Sequence, residues 1–153
     1  MVPFLLSSCG GGAGHSAGSV VTVASPSAAT VAVRASRGYG KILVTGSGRT
    51  LYLLTSDPRG KSKCTGSCSI VWPPLDVTGS LKAGPGVETS LLSTFERHGG
   101  ESQVLYDGHA LYTFEQDTGA GMVTGQGIRT YGGTWWVVTP SGKAVTTPSK
   151  AGG

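Results

Sequence analysis

Apolar and polar positions alternate over short stretches broken by glycine-bearing turns, and this period-two pattern predicts strands. Residues 29–35, ATVAVRA, alternate small and β-branched side chains. Residues 41–44 and 50–55, joined through Gly46-Ser47-Gly48, predict a hairpin. In its second strand Leu51, Leu53 and Thr55 face one way while Tyr52, Leu54 and Ser56 face the other. Both faces are largely apolar, so this strand should be covered on both sides. Asp57-Pro58-Arg59-Gly60 has turn chemistry at each position. Residues 69–75, SIVWPPL, predict a short apolar strand whose prolines bar a central ladder position and leave Trp72 to cap the core. Residues 76–86 predict a connection, and residues 87–95 either a short helical turn or an edge strand. Asp107-Gly108, between apolar-rich runs at 102–106 and 109–114, predicts a two-residue type I′ turn. A last hairpin is predicted over 134–139 and 143–145.

The pattern repeats. TLYLLTSD at 50–57 returns as ALYTFEQD at 110–117, so Leu51, Tyr52 and Asp57 recur as Leu111, Tyr112 and Asp117. In this alignment Thr124–Ile128 falls opposite Cys64–Cys68, placing glycines where the first unit has cysteines, and Trp135 and Trp136 stand near the position of Trp72. The expected architecture is all-β: duplicated hairpin-containing units packed with pseudo-twofold symmetry as a small β-sandwich or barrel. One domain over residues 29–147 is expected, with units at about 38–76 and 100–145. Composition agrees, because 26 glycines and only 13 % charged residues suit strands and tight turns rather than a charge-rich disordered chain.

Charge narrows the partners. The net charge is +4, with the densest local group at Arg59, Lys61 and Lys63; no long basic stripe predicts nucleic-acid binding. Mild attraction to an anionic membrane or wall polymer is the expectation for that loop. Leu6-Ser7-Ser8-Cys9-Gly10 fits a bacterial lipoprotein cleavage site, in which small residues admit the peptidase and the Cys9 sulfur takes a diacylglycerol. Residues 1–8 then form part of a signal, and its short apolar run with no preceding basic residue suggests a longer leader upstream. Residues 9–28 read as a tether, with an incidental His15, and residues 148–153 as a tail. The expected location is the bacterial envelope, outside the cytoplasm, with the membrane contacted through the lipid at Cys9. Cys64 and Cys68 are spaced CxxxC, unlike the CxxC of redox sites and zinc knuckles, and no second cysteine pair completes a zinc site. Outside the cytoplasm they should form a disulfide that pins the 61–69 loop, with a redox-active pair as the alternative.

With these residues in hand, the chain resembles the bacterial secreted-repeat lipoproteins, whose signature is Tyr-x-[Phe, Trp or Tyr]-x-x-Asp, twice over. Tyr112, Phe114 and Asp117 fit the signature in full; Tyr52 and Asp57 fit, but Leu54 stands where an aromatic is expected. The resemblance spans roughly residues 30–145 and implies location and architecture. It carries no activity over to any residue.

Chemistry-bearing residues are sparse. A serine or cysteine triad needs a base, and of His98 and His109 only the latter should be rigidly held. Asp57 and Asp117 would act as paired carboxylates only if the pseudo-axis brought them together. Phosphate-loop, dinucleotide and HExxH motifs are not found. The leading expectation is a monomeric, non-enzymatic envelope lipoprotein without a cofactor, which binds a wall polymer or envelope protein or supports the surface. A metal- or haem-handling or redox-accessory protein is the alternative, using His98, His109, Met122 and the thiols. A third expectation is glycan or wall-polymer binding by an exposed Trp135 or Trp136, because adjacent strand residues face opposite sides and one of the two needs a second layer, a loop or a ligand.

Overall fold

The computed structural model describes residues 28–147. Cys9, His15, the signal, the tail and all but the last residue of the tether lie outside the described residues. Ten strands appear in chain order: β1 (Ala29–Ser36), β2 (Gly40–Thr45), β3 (Tyr52–Leu54), β4 (Asp76–Val77), β5 (Leu81–Ala83), β6 (Leu92–Glu96), β7 (Ser102–Tyr106), β8 (His109–Ala110), β9 (Arg129–Thr130) and β10 (Gly133–Val137). One short helix, α1 (Ser67–Val71), lies between β3 and β4. The strands form three small sheets, ordered β2-β1-β5, β3-β10-β9 and β4-β7-β6, with β8 pairing the free part of β7. The all-β expectation holds, and the sheets do not close into a barrel.

Alternation sorts the side chains into two core layers. Tyr52, Leu54, Trp72, Tyr112, Phe114 and Trp135 join one buried cluster, while Leu51, Leu53, Leu111, Val104, Tyr106 and Val138 join the other. Successive residues of 51–54 therefore serve opposite layers, as a strand covered on both faces requires. Trp135 and Trp136 divide in the same way: Trp135 is fully buried among the aromatics, and Trp136 packs at the border of the aliphatic layer. The expectation of an exposed Trp135 is thus corrected, because the aromatic layer encloses it, while the partly buried Trp136 packs against the second layer.

Three local expectations also change. The 69–75 segment is the end of α1 followed by Trp-Pro-Pro, not a strand: the turn bonds Ser69 N–H to the Gly66 carbonyl and Trp72 N–H to the Cys68 carbonyl continue the bend of the disulfide-closed loop. Trp72 consequently lies at the centre of the aromatic layer, 1 % exposed, instead of capping it. The expected β2–β3 hairpin survives as a single bridge, Val44↔Thr50, since β3 turns away to pair with β10 in the second unit. Within the predicted connection, β5 adds a parallel strand to β1. Residues 87–95 combine both alternatives, a 3-10 turn at Thr89–Leu91 running into β6. Asp107 and Gly108 have φ of 50° and 80°, the left-handed pair that a type I′ turn needs.

Candidate functional site

The two Tyr-to-Asp segments meet at the centre of the molecule. Tyr52 and Tyr112 form an antiparallel bridge, each N–H donating to the other's carbonyl at 2.8 and 3.0 Å. Their hydroxyls then cross over: Tyr52 donates to Asp117 Oδ2 and Tyr112 to Asp57 Oδ2, both at 2.6 Å. Each carboxylate also accepts a backbone N–H from its own unit, Lys63 on Asp57 at 2.7 Å and Thr124 on Asp117 at 2.8 Å. Such reciprocal bonding is what a twofold axis between two like units demands. Around it, Trp72 and Trp135 stack with centroids 3.9 Å apart and planes 1° from parallel. Tyr52 meets Trp72 edge-on at 5.4 Å, and Tyr112 meets Trp135 edge-on at 5.0 Å.

Where the units differ, the chemistry differs. Phe114 stacks on Trp72 at 4.1 Å, whereas its counterpart Leu54 pairs with Trp135 across β3 and β10. Leucine keeps the apolar contact without the ring. Lys63 and Thr124 make the equivalent bonds to Asp57 and Asp117, so Cys64 corresponds to Gly125, one residue away from the alignment drawn from sequence. Gly125 can approach because it has no Cβ: one built there would lie 2.8 Å from the Trp72 ring and 3.0 Å from Tyr52. Its N–H reaches the Tyr52 hydroxyl directly, at 3.1 Å. In the first unit Ser62 Oγ stands between, accepting the Cys64 N–H and bonded to the Tyr112 hydroxyl.

Burial and the neighbouring carboxylates push both phenols well above the usual tyrosine range, so neither supplies a phenolate near neutral pH. The Tyr52 hydroxyl accepts the Gly125 N–H and donates its own proton to the buried Asp117 carboxylate. Asp57 is the turn-maker expected of it and also the partner of Tyr112. Asp57 and Asp117 are thus each held by the opposite unit's tyrosine and by a backbone N–H, not as a free carboxylate pair.

Desolvation raises the Asp57 pKa above the ordinary 3.8, against the opposing bonds from Lys63 and Tyr112. A raised carboxyl favours folding in its protonated form; that contribution is complete below pH 3.8 and is lost as pH rises through the folded-state value. Asp57→Asn removes this titration. Denaturant unfolding of both proteins across the acid range should show the stability difference moving in favour of Asp57→Asn as pH rises; a pH-independent difference would contradict the assignment. Asp76, shifted in the same direction by burial, is present in both proteins and cancels.

The Tyr112–Asp57 pair connects through Ser62 to a surface cleft of about 900 Å³ between the 60–69 loop and the β6–β7 turn. Arg97 links the two: its guanidinium donates to Ser62 Oγ, to Gln103 Oε1 at 2.7 Å and to the Cys64 carbonyl at 3.0 Å. Gln103 is fully buried and donates an amide N–H to the Leu111 carbonyl. Lys61, Arg97 and His98 line the cleft with Asp76, Glu96 and Glu101, a mixed set of charges. Sequence reasoning missed Ser62, Arg97 and Gln103, because nothing in their local pattern shows that the 97–103 hairpin folds over the cysteine loop.

Cys64 and Cys68 form the expected disulfide. Closing so short a loop stabilises by about 2 kcal/mol through chain entropy. Both cysteines are buried, at 0 % and 3 % exposure. A redox role requires a thiolate to reach one sulfur, so this burial favours the structural reading. The other candidate ligands lie in separate surroundings: His98 is exposed on the cleft rim, His109 sits on β8 opposite Tyr106, and Met122 Sδ accepts a weak bond from Thr118 at 3.5 Å. Burial first, and then Arg59, lowers the His109 pKa and favours its neutral form. Among the described residues, no three His, Cys, Asp or Glu side chains converge as a metal site, and no helix is long and apolar enough to cross a membrane.

A family model described as a secreted repeat of unknown function matches the chain twice, at residues 33–76 and 93–139. These two segments contain the crossed Tyr–Asp partners. Comparisons with curated proteins and with solved structures gave no match.

Proposed function

Because the chain belongs to the family of secreted repeats of unknown function, with both repeats present, we propose that it is a lipid-anchored, non-enzymatic protein of the bacterial envelope. The observation that carries this reading is the consumption of both Tyr–Asp pairs in joining the repeats. Among the described residues these are the acid and phenol partners that the duplication brings together, each carboxylate is held by the opposite unit's tyrosine and by a backbone N–H, and Asp117 is fully buried. Binding is then the work of the cleft beside the disulfide loop. Its charges of both signs, with the hydroxyls of Ser62, Thr65 and Ser69, suit a polar ligand bearing both amine and carboxylate groups, such as the peptide part of a wall polymer. The Leu6-Ser7-Ser8-Cys9 sequence supports anchoring through a thioether-linked diacylglycerol on Cys9.

Native mass measurement of protein extracted from its own envelope tests both parts. The expected result is a Cys9 diacylglyceryl adduct that partitions into detergent and a Cys9→Ser variant that partitions into water. An unmodified Cys9 overturns the anchor. A retained wall fragment supports binding, whereas a retained metal or haem would favour the alternative built on His98, His109 and Met122.

A further inference from the structure

The chain's net charge is localised. Of its twelve basic and eight acidic residues, the segment from β1 to Thr50 holds Arg34, Arg37, Lys41 and Arg49 and no acid at all. Those four account for the whole net charge of +4, and the rest of the chain is balanced. Arg34, Arg37 and Lys41 are exposed, and among the described residues the one ion pair, Arg59–Asp107, lies elsewhere.

Arg34 and Arg37 line a pocket of about 250 Å³ with Ser36, Thr50 and Gly121. The Arg34 guanidinium rests on glycines of both units: a Cβ at Gly121 would lie 2.9 Å from Nη2, and one at Gly48 3.5 Å from Nη1. Gly48 and Gly121 also have φ of 93° and 86°, a conformation that other residues rarely adopt. This seat restricts a side chain that would otherwise lose rotamer freedom on binding, and it places a planar donor fork beside a pocket sized for one small anionic group.

We propose that the β1–β2 hairpin is a docking face for anionic phospholipid headgroups, with Arg34 and Arg37 taking the headgroup phosphate. The choice of membrane rests on the lipid-anchored reading above. About 20 residues separate Cys9 from Ala29, so an anchored domain stays within roughly 70 Å of the bilayer even with that segment fully extended. Confinement at this range raises the effective concentration of headgroups and makes weak contacts sufficient. The lipid chain holds the protein, and the hairpin orients it.

Unlipidated full-length Cys9→Ser protein, mixed with phosphatidylcholine vesicles containing about a third phosphatidylglycerol, tests the face independently of the anchor. The expected result is co-sedimentation with these vesicles but not with pure phosphatidylcholine, weakening as salt rises. Arg34→Gln with Arg37→Gln should reduce partitioning roughly 25-fold, about fivefold per charge. Arg129→Gln with Lys143→Gln, the same change in net charge on other exposed residues, should leave it within about twofold. Arg37→Gln with Lys41→Gln keeps the Arg34 seat and provides the second variant should the first fail to fold. Equal losses in the hairpin and control pairs, no preference for anionic vesicles, or displacement by millimolar inorganic phosphate would each overturn the proposal. Failure of detergent partitioning by the native protein would instead remove the anchor and leave the headgroup measurement standing.

Discussion

Asp117→Ala should cost the domain about 4 kcal/mol, the largest effect expected of any single polar substitution in this protein. Its carboxylate is fully buried and accepts three bonds: Tyr52 Oη at 2.6 Å, Thr124 N at 2.8 Å and Thr124 Oγ1 at 2.6 Å. Alanine leaves those donors inside the core without an acceptor, and each unsatisfied buried group costs about 1–3 kcal/mol. Against a typical domain stability of about 5–15 kcal/mol, this is a large fraction. Asp57→Ala removes the pseudo-equivalent group but should cost only about 2 kcal/mol, because Asp57 is partly open to solvent that can reach its orphaned donors. Urea unfolding of the two variants measures the contrast. Equal losses would mean that the cleft side of the axis is as dry as the other.

Trp72→Ala should cost about 3–5 kcal/mol by removing the ring stacked between Phe114 and Trp135. The vacancy would lie on the pseudo-axis, where Tyr52 also loses its edge-on partner, and backbone from both units limits collapse. A double-mutant cycle tests the geometry more closely than the single value. Gly125→Ala drives a Cβ into the Trp72 ring and should cost about 1–3 kcal/mol alone, but distinctly less in the Trp72→Ala background. Additive losses would show that the ring and the glycine do not touch in solution.

The features legible in advance were local or periodic. Alternation at 51–54 identified a strand covered on both faces, and the structure shows why each residue is apolar: Leu51 and Leu53 serve the aliphatic layer, Tyr52 and Leu54 the aromatic one. Asp107-Gly108 specified its own turn, because few residue pairs accept two successive positive φ values. Trp135-Trp136 posed a problem that sequence could state but not resolve, since period two says that the rings diverge without saying what receives them. The segment 69–75 misled for the opposite reason. Its apolar β-branched residues favour a strand, but the tertiary context overrides that preference, and Ser67–Val71 forms a turn of helix directly after the disulfide-closed loop.

The sequence by itself determined the all-β class, the two units, the turn at Asp107-Gly108 and the disulfide, because each depends on residues close together in the chain or on a spacing that recurs. Only the tertiary structure decided that each unit's tyrosine bonds the other unit's aspartate, that β3 leaves its own hairpin for β10, and that Arg97 closes over Ser62 and Cys64. These are exchanges between equivalent partners. A duplicated sequence offers every tyrosine two aspartates and every strand two mates of nearly equal local preference. The choice falls to packing, in which stacking Trp72 on Trp135 and burying Asp117 against the opposite unit's Tyr52 fills a core shared by the two repeats.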